Sequence, residues 1–137
     1  MPSTEQLLRL LAVLQPSLAM YLADSGIWSY PGKESAKLAL ADLVDDHRSL
    51  IERAGSALED RGVVPTAPAY PIAFTGCHDV DIQALVPRVL EGLRRQVHDL
   101  DAILEAGRSD DAASELVRQA KASSEHHLDA LAQAAGR

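Results

Sequence analysis

The sequence predicts an all-α protein, a single domain spanning 1–137 and built as a four-helix bundle with a long connection between the second and third helices. Three observations carry that reading. Apolar residues recur three and four apart through four stretches, which places each set on one stripe of a helix. Aromatics make up 4% of the chain against 47% apolar residues dominated by Leu and Ala, so the core is made of small and medium aliphatics and strand formers are scarce. A chain of 137 residues suits one domain and is long enough to bury a core.

The first helix is expected from about Thr4 to Asp24, with Leu7, Leu8, Leu11, Leu14, Leu18, Tyr21 and Leu22 on its apolar side. Ser3 and Gln6 have capping-box spacing. Pro16 removes a backbone donor and crowds the carbonyl of Ala12, so a kink is expected there. Gly26, Pro31 and Gly32 then break the helix in a connection short enough to return the chain antiparallel.

The second helix is expected from about Glu34 to Arg61, burying Leu40, Leu43, Val44, His47, Leu50, Ile51, Ala54 and Leu58. Gly62 supplies a left-handed C′ residue and Pro65 follows it, the usual order at a helix end. The third helix is expected from Asp79 or Val80 to Glu105, with Ile82, Leu85, Val86, Val89, Leu90, Leu93, Val97, Leu100, Ile103 and Leu104 inward. Pro87 either kinks it or marks where a short leading turn meets the main body. Gly107 ends that helix and Ser109 caps the fourth, with Asp110 and Asp111 at the positive end of its dipole. The fourth, from about Asp110 to Ala135, buries Ala113, Leu116, Val117, Ala120, Ser124, His127, Leu128 and Leu131.

The connection from Gly62 to His78 has 17 residues, and at roughly 3.3 Å per extended residue it reaches about 56 Å. The second helix, at roughly 1.5 Å per residue, is about 42 Å long. The connection can therefore cross the whole bundle, a reach that an up-down-up-down arrangement does not need. Within it, Tyr70-Pro71, Phe74-Thr75 and His78-Asp79 form a Y-P-x-x-F-T-x-x-H-D pattern. The chain thereby resembles uncharacterised bacterial proteins of the ferritin-like superfamily, whose second and third helices are joined by such a crossover. The resemblance implies a fold and no settled activity.

Di-iron members of that superfamily use an inward Glu on two helices and Glu-x-x-His on the other two. Residue by residue, this sequence departs from that set. The first helix has only Glu5 and Asp24, at opposite ends, with Gln15 near mid-stripe. Val44 stands three before His47, Ser124 stands three before His127, and Glu91 lies off the stripe of the third helix. The expectation is no cofactor and no catalytic set, with His47 and His127 as neutral histidines at the core, bonded to Gln15, Ser124, Tyr21 or water. The alternative is a metal centre, iron or zinc, on His47 and His127, with metal-dependent oxidoreductase activity or metal storage as its consequence; Gln15, Asp46, His78 and Asp79 are further candidate site residues without an assigned metal role. Asp46 adjoins His47 and is expected to point elsewhere, while His98 and His126 fall toward solvent. A third reading is a pH-responsive module in which charging of the inward histidines loosens the bundle.

Cys77, His78 and Asp79 are consecutive, so their tips do not converge as a catalytic relay, and no Cys-x-x-Cys accompanies them. Tyr70 and Phe74 are expected to pack on the bundle flank and Asp79 to cap the third helix. Trp28 and Tyr30 either close the end of the bundle or form a contact surface.

The net charge of −7, with no basic stripe, argues against nucleic acid and acidic membrane surfaces as partners. A lone cysteine excludes an internal disulfide framework, and the N-terminal stretch has no basic region before its apolar part, so a cytoplasmic protein is expected. The Ala-rich fourth helix suits self-association, which makes a homodimer or a protein partner the expected assembly. The chain is thus expected to act by binding or assembly rather than as an enzyme.

Overall fold

The computed structural model describes residues 2–65, 69–77, 80–106 and 112–136. Its helices are α1 (Pro2–Leu14), α2 (Leu18–Ser25), α3 (Glu34–Asp60), α4 (Ile82–Ala106) and α5 (Ala112–Ala135), with short 3-10 turns at Ile27–Ser29 and Ile72–Cys77. The long helices α3, α4 and α5 pack together as an all-α bundle, and α1 with α2 completes it.

The expected first helix is two. Pro16 has no N–H to give the helix, and α2 sets off at 59° to α1. The break is furnished with its own cap: Ser17 is extended and its Oγ accepts from the Met20 N–H at 3.3 Å. Because α2 carries the buried Leu18 and Leu22, loss of this cap is felt by the core. Ser17→Ala is expected to lower global stability by about 1 kcal/mol, read as a lower urea midpoint at unchanged slope.

Leu10 is fully buried and Leu8 is 38% exposed, the reverse of the expectation for Leu8. Gln6 is not spent on a capping box; it is buried and its Nε2 donates across the bundle to Ser114 Oγ at 3.2 Å.

α3 ends as the sequence predicts. Gly62 has φ of 72°, its N–H reaches Glu59 O, and the Val63 N–H reaches Leu58 O at 3.0 Å. These two bonds make a Schellman motif, and Val63 packs on the cluster that contains Leu58. α4 runs unbroken through Pro87, which sits on its exposed face near the N-terminus. The cap expected of Asp79 falls outside the described residues, as do Gly107, Ser109, Asp110 and Asp111. Asp81 accepts from the Gln83 N–H at 2.7 Å and so caps α4 itself.

The core lies in two apolar clusters that fix the direction of every helix. One joins Leu18 and Leu22 of α2 with the first half of α3 (Leu40, Leu43), the first half of α4 (Leu85, Val89) and the end of α5 (Leu131). The other joins α1 (Leu7, Leu14) with the last halves of α3 and α4 (Leu58, Leu100) and the first half of α5 (Val117). Hence α3 and α4 start at the same end and run the same way, while α1 and α5 run opposite to them. The chain that leaves α3 at one end enters α4 at the other.

Residues of that connection pack as expected. Tyr70 and Phe74 lie against Tyr21, with ring centroids 5.2 and 5.6 Å away, and Tyr70 Oη donates to Asp24 Oδ2 at 2.5 Å. Burial first, then the bond to Asp24, pushes the Tyr70 phenol above its ordinary range. Cys77 is fully buried and its Sγ accepts from Arg88 Nη1 at 3.2 Å, a packing role rather than an exposed thiol. At the same end Pro31 O accepts from the Ile82 N–H at 2.7 Å, and Gly32, at φ of 135°, lies so near that a Cβ would stand 2.9 Å from Ile82 Cβ. Ser35 and Gln83 donate to the terminal carbonyls of α5, Ala134 O and Ala135 O. Trp28 and Tyr30 part company: Tyr30 is buried and bonded to Ser25 Oγ, and Trp28 is 57% exposed.

No single helix among the described residues is long and apolar enough to cross a membrane, and the apolar side chains of the bent α1–α2 pair, such as Leu14 and Leu22, belong to the core.

Candidate functional site

Between the two apolar clusters lies a polar layer to which each wall of the bundle contributes. α3 supplies His47 between Val44 and Leu50, α4 supplies Gln96 between Leu93 and Leu100, and α5 supplies Ser124 and His127 between Ala120 and Leu131. Gln15 stands at the α1–α2 break, between Leu14 and Leu18. His47 and Ser124 are completely buried, His127 and Gln96 nearly so.

His47 Nε2 lies 3.1 Å from Gln96 Oε1. A carboxamide oxygen only accepts, so Nε2 carries the proton and Nδ1 presents a bare lone pair. That Nδ1 is buried and has no hydrogen-bond partner among the described residues; the same holds for Gln15 Oε1 and Ser124 Oγ. Burial, the largest cause, holds the His47 pKa below its usual value; the Gln96 bond opposes it in part, and nearby His127 lowers it further while Asp46 raises it. His47 is therefore neutral at physiological pH.

His127 Nε2 lies 2.6 Å from Asp46 Oδ2. Its ring is buried while Asp46 is mostly exposed, with 4% and 58% of their side chains accessible, so the carboxylate closes the layer from outside. Asp46 does not point away from the site, as its adjacency to His47 suggested; it reaches round α3 to the neighbouring helix.

Of the residues singled out from sequence, His47 and His127 meet in this layer, with Asp46 on its rim. Gln15 reaches its level but bonds neither histidine. His78 and Asp79 lie outside the described residues. His98 and His126 are exposed, and His126 touches His127 edge-on at 5.1 Å between ring centroids. The residue missed was Gln96. It occupies the inward position in the 89, 93, 96, 100, 103 series of α4, three after Leu93 and four before Leu100, whereas Val97, placed inward from sequence, is only half-buried. The spacing pointed to Gln96; its polarity hid it.

Outside the layer, a groove of about 560 Å³ runs between the α1–α2 break and α4. Small residues open it, among them Ala12, Ser17, Ala19, Gly92 and Ala102. Gln96 lines it too, so one carboxamide joins the groove to buried His47.

Among the described residues no three His, Cys, Asp or Glu side chains converge as a metal site. Among the described residues the bridging carboxylates of a di-iron centre are not furnished: at the level of the layer the α1–α2 break and α4 bring the amides Gln15 and Gln96, and α5 brings a hydroxyl. The donors of the layer do not fit that group. In comparison with known proteins, the chain matches no family model, no curated protein and no solved structure.

Proposed function

We propose that this protein is a ferritin-like bundle that acts by binding, as a cytoplasmic ligand-binding or assembly protein, and not through di-iron chemistry. The ferritin-like reading is supported by the shared direction of α3 and α4 and the bundle-length path between them. The binding reading is carried by one observation: amides stand where a di-iron bundle needs carboxylates, while a groove lined by one of those amides opens beside them. A second reading, a single zinc or iron ion on His47 and His127, is favoured by the bare buried Nδ1 of His47 together with its oriented Nε2, since ligating histidines commonly hold the other ring nitrogen in a hydrogen bond.

Metal analysis of the purified protein separates the two. The binding reading expects substoichiometric iron, zinc and manganese, unchanged in a His47→Ala/His127→Ala variant. One equivalent of metal that disappears in the variant would replace it with the second reading.

A further inference from the structure

Resting on the binding reading, we propose that the groove between the α1–α2 break and α4 binds an amphipathic organic carboxylate, its apolar body along α4 and its carboxylate at the Arg88 end. The two halves of the groove differ in a way that orients such a ligand. The half belonging to the first apolar cluster is walled by Leu18, Ala19, Val89 and Phe74. At that end Arg88 gives one N–H to the thiol of Cys77, and no carboxylate among the described residues pairs with it. A thiol is a weak acceptor and does not itself neutralise the guanidinium charge. The other arginines of the lining differ: Arg9 pairs with Glu5 at 2.9 Å and Arg95 with Glu91 at 3.7 Å.

A second feature of the same half favours an anion. α2 begins there, and the N–H groups of Leu18 and Ala19, both lining the groove, precede the first acceptor within their helix. Ser17 Oγ is already engaged with the Met20 N–H and leaves those two for a ligand. Asp99 lies in the opposite half, eleven residues along α4 from Arg88, and repels a carboxylate from that end. Between the two, Gln96 is 7% exposed and offers its amide to the groove while its oxygen holds His47. A buried amide amid aliphatic walls is the sparse polar contact typical of small-molecule sites, and the groove falls within their usual size of about 300–1,000 Å³.

The test uses decanoate and the uncharged decanol as probes, titrated calorimetrically into the full chain below their aggregation thresholds. Two variants serve as controls. Arg88→Gln removes the charge. Gly92→Leu fills the groove without a clash in the fold, because a Cβ at Gly92 meets nothing within 4 Å, and it replaces a helical glycine by a better helix former. Expected are one-to-one binding of decanoate about tenfold tighter than of decanol, a fall of decanoate to the decanol level in Arg88→Gln, and loss of both in a Gly92→Leu protein at least as heat-stable as the parent. Absence of saturable decanoate binding, equal affinity for the two probes, or unchanged binding in Gly92→Leu would each overturn the proposal. So would a dimeric parent made monomeric by Gly92→Leu, which would assign the groove to a second copy. Any of these leaves the binding reading standing, whereas stoichiometric metal lost with the two histidines removes that reading.

Discussion

Replacing Gln96 by Leu is expected to cost about 2 kcal/mol, and replacing His47 by Leu in the same chain is expected to return most of it. Gln96 and Leu are close in volume, and position 96 continues the aliphatic series of Leu93 and Leu100, so packing supplies little of the loss. The cost comes from His47, whose Nε2–H would lose its acceptor at a site with no solvent access and whose Nδ1 already lacks a partner. An unpaired buried donor pays its full desolvation, whereas removing both members of a buried pair is close to neutral. Urea unfolding of the two single variants and the double gives the coupling energy directly. Additive single effects would mean that the two side chains do not act as a unit. If the double variant keeps full stability, the polar layer is kept for something other than folding.

The all-α bundle was legible because the helical periodicity is strong and the stops are local. Gly62 and Val63 close α3 by a motif written in neighbouring residues, and Pro16, deep in the first helical stretch, marks a break there. What Pro16 does not announce is the size of the bend, 59°. Leu10 rather than Leu8 is buried because Leu7, Leu10, Leu11 and Leu14 form the three-and-four-apart stripe of α1, and Leu8 stands at its edge. The site was legible at its histidines, since His47 and His127 continue apolar stripes. Gln96 continues one as well, yet a polar residue on a stripe gains a reason only when the partner across the bundle is known, 49 positions away in sequence. Asp46 was misread for the same reason. A residue next to an inward one leaves the stripe, but a side chain at its edge can still reach a neighbouring helix, here to a histidine 81 positions away. The groove had no sequence signal, because it arises from small residues on two elements whose spacing the break at Pro16 sets.

Stability is expected to fall as pH drops below 6.5, at a slope that His47→Gln makes shallower. His47 has a native pKa held below its ordinary 6.5, burial being the largest cause and His127 a further one. Between its lowered native pKa and 6.5 the unfolded chain takes up a proton at this residue before the native chain does, so the unfolded state binds more protons and stability decreases with falling pH. Above pH 6.5 the ring is neutral in both states and contributes no slope. One ring contributes at most about 1 kcal/mol per pH unit, and only down to its native pKa. Set against a typical total of about 5–15 kcal/mol, this weakens the bundle without unfolding it. His47→Gln keeps an amide that can bond Gln96 and cannot titrate, and it leaves the Asp46–His127 pair in place, so the difference between parent and variant isolates this ring. Denaturant curves at half-unit steps of pH supply the measurement. Equal slopes in the two proteins would mean that His47 takes a proton in the native layer, with its Nδ1 finding an acceptor there, and would remove the fixed neutral tautomer on which the reading of the layer depends.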